Sequence, residues 1–95
     1  MTGDPIIDML RTDIDAVDRS ILEGLVARRR IVRLLLERKL ERGMELRDEG
    51  REWAILDRIR EKADMLGIDP DHAERVFREV LRDSLTVIEE VRGGS

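Results

Sequence analysis

The chain has 95 residues, with 22 acidic and 18 basic side chains, a single histidine and no cysteine, which excludes disulfides, thiolate metal sites and a zinc site resting on His72 alone. Charged residues make up 42% and aromatics 2%, the balance of an amphipathic helical protein rather than a disordered one. No apolar run approaches the roughly 18 residues of a membrane span, and Met1-Thr2-Gly3-Asp4-Pro5 lacks a basic region followed by an apolar one, so a cytoplasmic protein with no membrane partner is expected.

From Pro5, well placed at a helix start, apolar residues recur at helical spacing through Ile7, Leu10, Ile14, Val17, Ile21, Leu25, Val32, Leu35 and Leu36 to Leu40. The pattern stops at Arg42-Gly43, which predicts a first helix over about residues 5–42, about 54 Å long. A helix of that length outruns a 95-residue globule. Its apolar stripe needs a second chain to cover both ends, so a homodimer is expected. A short link leads to Asp48, an N-cap for a second helix over about residues 48–66 whose apolar face carries Ile55, Leu56, Ile59 and Ala63, and Gly67 ends it. Asp69 then caps a third helix over about residues 70–91. Its first position is Pro70 and its stripe reads Ala73, Val76, Phe77, Val80, Leu81, Ser84, Leu85, Ile88 and Val91. Gly93-Gly94-Ser95 reads as a frayed tail. There is no repeat, strand alternation or hairpin signal, so the fold class is all-α, a single domain over residues 1–95.

Net charge is −4, yet the segment 28–42 gathers Arg28, Arg29, Arg30, Arg33, Arg38, Lys39 and Arg42 against only Glu37 and Glu41. Stepping along the stripe of the first helix by three and four places Arg11, Asp18, Arg28 and Lys39 on it. Burying an unpaired cation costs several kcal/mol, so each must meet an anion or reach water. Arg28 and Lys39 stand about 16 Å apart along the helix axis and can converge part of the way on a ligand between them. The second helix adds Arg47, Asp48, Arg51 and Glu52 at its N-terminal turn, where backbone N–H groups also favour anions. Together these residues describe a pocket for a carboxylate-rich small molecule, with no metal or cofactor.

Each residue also has a plainer reading. Arg29, Arg30, Arg33 and Arg38 fall off the stripe and read as a solvated face. A structural salt bridge or a snorkelling geometry explains Arg28 as readily as a ligand does, and Lys39 sits where a cation favours the helix dipole. Glu52 reads equally as a balance for neighbouring arginines, Trp53 as a boundary packing residue, His72 as solvent-facing, and Ser84 as a small core residue. A nucleic-acid-binding or dimerisation module would use the basic stretch. Acidic net charge, the lack of stacking aromatics and the lack of helix-turn-helix spacing argue against it.

Taken together, Leu10-Arg11, Ile14-Asp15-Ala16-Val17-Asp18, Leu25-Val26-Ala27-Arg28-Arg29, Lys39, Leu46-Arg47-Asp48 and Arg51-Glu52, continued by Phe77 and Asp83-Ser84, resemble the all-helical chorismate mutases over residues 6–91. The resemblance implies an intertwined homodimer with two sites, each receiving Arg11 in trans from the partner chain. It implies that Arg11 and Arg28 clamp the two carboxylates of chorismate, assisted by Arg47 or Arg51, that Lys39 faces the breaking ether oxygen, and that Glu52 and the Asp48 backbone meet the ring hydroxyl with Ser84 nearby. The implied reaction, a concerted rearrangement of chorismate to prephenate, needs neither nucleophile nor general base. One position departs from the family pattern. Where the family usually presents Gln or Glu one turn after Ser84 to share the ether oxygen with Lys39, this chain has Ile88. That leaves a sister substrate open, through a 4-amino-4-deoxychorismate mutase or an isochorismate-pyruvate lyase, as well as a catalytically inactive copy.

Overall fold

The structure, a computed structural model, describes residues 3–93 and contains three α-helices, α1 (Pro5–Glu41), α2 (Glu49–Leu66) and α3 (Pro70–Arg92), with no strand among the described residues. Gly94 and Ser95 of the expected frayed tail, and Met1 and Thr2 at the other end, lie outside the described residues. No helix of the described residues is long and apolar enough to cross a membrane.

Each helix begins on an aspartate, because a short carboxylate can take up the backbone N–H groups that the first turn leaves without partners. Asp4 accepts from the Ile6 and Ile7 N–H groups at 2.9 and 3.3 Å. Asp48 accepts from the Arg51 N–H at 3.0 Å, and Asp69 from the Asp71 N–H at 2.9 Å. The exit from α2 is the left-handed Gly67, at φ +75°, where a side chain would be strained. It lets the Ile68 N–H turn back onto the Ala63 carbonyl at 2.8 Å.

The helix α3 is the hub, packed against both α1 and α2. One buried cluster joins Leu36 of α1, Leu46 of the α1–α2 link, and Val87 and Ile88 of α3. Leu56 and Ala63 of α2 and Leu81 of α3 are buried as well. Val87, only 1% exposed, is absent from the single stripe that the sequence suggests for α3. Consecutive helical residues point about 100° apart, so Val87 belongs to a second face. With two neighbours to cover, α3 buries two faces, and Val76 of the expected stripe is left 49% exposed. Val87→Ala should lower stability by about 2 kcal/mol, the lost methyl groups plus the residual void, read as a fall in the denaturation midpoint.

The expectation that Arg29 and Arg33 belong to a solvated face needs correcting. Arg29 Nε lies 3.0 Å from Asp83 and its Nη2 lies 3.2 Å from Glu90, while Arg33 also pairs with Glu90. Both carboxylates stand on α3, so these off-stripe cations lock α1 to α3. The hydrogen bonds that Arg29 donates to Glu90 and Asp83 raise its pKa. The Arg38 partner is local, Glu41 at 3.3 Å, and Arg30 is exposed.

Half of α1 has nothing to pack on among the described residues. Leu10, Ile14, Val17 and Ile21 are each more than half exposed. The radius of gyration is 17.5 Å and the long axis 59 Å, against about 12 Å for the radius of a compact domain of this length.

Candidate active site

A cavity of about 500 Å³ opens where the three helices meet, a volume in the range of small-ligand clefts. Each helix contributes for a local reason. The stripe of α1 turns inward after Gly24, so Arg28 and Lys39 stand on the cavity wall with the apolar Val32, Leu35 and Leu36 between them. The first turn of α2 brings Asp48, Arg51 and Glu52, and with them the partly positive end of that helix. From α3 come Ser84 and Ile88, one turn apart, and Leu81 and Leu85.

Of the residues singled out from the sequence, Arg28, Lys39, Asp48, Arg51, Glu52, Ser84 and Ile88 line this cavity. Two do not. Arg11 lies on the exposed half of α1, about 26 Å along the helix axis from Arg28. Arg47 lines the outer grooves and not this cavity. Its guanidinium faces Glu52, with Nε 3.1 Å from Oε2 and Nη2 3.3 Å from Oε1, and that hydrogen-bonded pairing raises the Arg47 pKa.

The charges in the cavity do not cancel one another. Arg28 Nη1 donates to the neutral Ser84 hydroxyl, and Lys39 Nζ donates to the Leu46 carbonyl at 3.3 Å. No carboxylate among the described residues forms an ion pair with Arg28, Lys39 or Arg51. The two carboxylates of the cavity are engaged elsewhere, Asp48 in capping α2 and Glu52 with Arg47. Burial lowers the Arg28 pKa, an effect that Asp83 opposes and Arg51 reinforces. Arg28 nevertheless stays charged at neutral pH, because a guanidinium titrates far above it. Three cations thus face an apolar floor without an ion-pair partner among the described residues, beside two carboxylates engaged elsewhere, an arrangement whose chemistry suits a small polyanion. No group of three or more metal-ligating side chains converges among the described residues.

Several features lie beyond the sequence reading. Ile55, Leu81 and Leu85 complete the apolar walls. Burial of Leu46 places its carbonyl against Lys39. Its position in a short polar link hid that role. Trp53, expected at a packing boundary, is 61% exposed, with the Arg78 guanidinium 5.7 Å from its ring centroid. His72 is exposed.

Comparison with known proteins gives a match to the family model described as chorismate mutase type II over residues 10–89. Over 77 residues the chain is 38% identical to the T-protein of Enterobacter agglomerans, an alignment covering 81% of this chain and 21% of that protein, so the chain spans about a fifth of the curated relative it matches. No solved structure matches it significantly.

Proposed function

The chain belongs to the chorismate mutase type II family, and from that membership we propose that it converts chorismate to prephenate in the cavity between its helices. The observation that carries the proposal is the set of three cations, Arg28, Lys39 and Arg51, facing one apolar cavity without an ion-pair partner of their own. Chorismate carries two carboxylates and an ether oxygen on a compact ring, a matching array of negative groups.

In this reading Arg28 and Arg51 clamp carboxylate groups, and Lys39 donates to the ether oxygen as its bond to carbon breaks and the new carbon–carbon bond forms. Negative charge grows on that oxygen in the transition state, so a cation already aimed at it lowers the barrier more than it stabilises the bound substrate. Glu52 and the Asp48 backbone take the ring hydroxyl. Ser84, which already holds Arg28, fixes the clamp. The apolar walls exclude water and hold the substrate in its folded conformer.

The proposal includes a homodimer. Arg11 lies too far along its own straight helix to reach its own cavity, and the apolar half of α1 around it is exposed. A second copy packed on that face covers the apolar residues and delivers its Arg11 to the cavity of the first.

Ile88, buried at the cavity edge, favours a second reading, the same scaffold acting on a sister substrate. Assaying the purified chain side by side with chorismate, isochorismate and 4-amino-4-deoxychorismate separates the two. Fastest turnover of chorismate is expected, preference for another substrate selects the second reading, and no turnover of any sinks both. Ile88→Gln should raise turnover of chorismate by up to about 10²-fold by supplying a donor to the ether oxygen. An unchanged or lower rate in a folded variant would mean that position 88 does not face that oxygen.

A further inference from the structure

We propose that Arg47 is a positioning residue that keeps Glu52 away from the cations of the cavity, an inference that rests on the chorismate mutase reading. Glu52 is the difficult group in this site. Its carboxylate shares the cavity with Arg28, Lys39 and Arg51, none of which has an ion-pair partner among the described residues, and a flexible glutamate in the first turn of α2 has the reach to swing among several rotamers. A carboxylate that settled on one of those cations would occupy the place of a substrate carboxylate.

The geometry prevents this from outside. Arg47 lies just before the start of α2 and is absent from the cavity wall. Its planar fork meets both oxygens of Glu52, Nε to Oε2 at 3.1 Å and Nη2 to Oε1 at 3.3 Å. Glu52 is the less exposed partner, at 25% against 47% for Arg47. Glu49, at 3.8 Å, is a looser second partner for Arg47. A two-pronged guanidinium fixes the plane of the carboxylate as well as its distance, which a lysine cannot do. Glu52 is thereby tied to the rim with lone pairs left for a hydroxyl donor of the substrate, while the cations stay open for its carboxylates.

The pair therefore acts on substrate capture more than on the rearrangement itself. In Arg47→Ala, KM for chorismate should rise about tenfold, the scale of one charge-assisted hydrogen bond, with kcat changed less than about twofold. Arg47→Lys should lie between. The decisive measurement repeats Arg47→Ala in a Glu52→Gln background, where the Glu52 carboxylate is gone, Asp48 stays engaged as the cap of α2, and KM should not rise further. Circular dichroism and thermal melts establish that each variant is folded. An equal rise in KM in both backgrounds would make Arg47 an independent clamp or a structural residue, and no rise in either would leave it without a role; both overturn the proposal. A wild-type chain that turns over no chorismate removes the premise and overturns the parent reading too, a result distinct from active enzyme without coupling.

Discussion

Replacing Lys39 or Arg28 with alanine should reduce kcat/KM on chorismate by about 10²–10³-fold, the range seen when a preorganised donor to a developing oxyanion is removed, while the protein keeps its helices and its oligomeric state. The second half of that expectation distinguishes a ligand site from a structural one. A cation that held helices together would leave a carboxylate partner unpaired in the interior when deleted, and stability would fall. Arg28 has no such partner. It bonds a serine hydroxyl, and burial disfavours its charged form. Its removal strands no carboxylate, since Asp83 stays paired with Arg29, so the melting temperature of Arg28→Ala should change little as activity falls, as expected where a residue serves function rather than stability. For Lys39 the loss should fall mainly on kcat, because in the proposed mechanism its part is played when the ether oxygen gains charge. Thermal melts and steady-state kinetics on the same preparations check both. An unfolded or severely destabilised Arg28→Ala would make the residue structural, and near-normal turnover by Lys39→Ala would remove it from the reaction.

Mixing two inactive variants should restore activity. If Arg11 serves the cavity of the partner chain, Arg11→Ala and Arg28→Ala damage the same site from opposite subunits. A heterodimer of the two then has one site with both arginines and one with neither. Random reassortment of equal amounts makes about half the dimers heterodimeric, each with one of its two sites intact, so about a quarter of wild-type activity should return. Co-refolding the two chains and assaying chorismate turnover provides the test. Activity no higher than the average of the separate variants would sink the shared site. The opposing outcome, Arg11→Ala fully active by itself, would leave the exposed face of α1 as a packing surface alone.

How much of this was legible in the sequence follows from how local each feature is. The three helices, their aspartate caps and the glycine exit of α2 depend on interactions within four or five residues, and a linear reading captures those. The charged positions on the α1 stripe were legible because helical periodicity converts spacing into direction. It could not show where a cation points across the gap to another helix. Arg29 and Arg33 read as solvated because their partners Asp83 and Glu90 lie more than 50 residues away in the chain. Val87 escaped because a helix with two neighbours buries two faces, whereas a search for one stripe finds one.

The sequence by itself determined an all-helical chain, the family resemblance and the charged residue types of the cavity, all consequences of short-range hydrogen bonding and periodicity. Only the tertiary structure decided which arginine of the α2 start serves the cavity. Arg47 and Arg51 are four residues apart and indistinguishable by type, yet Arg51 lines the cavity and Arg47 holds Glu52 from outside. The reason is physical. Arg51 lies within the first turn of α2, on the face that borders the cavity, whereas Arg47 precedes the N-cap and is directed by its bond to Glu52.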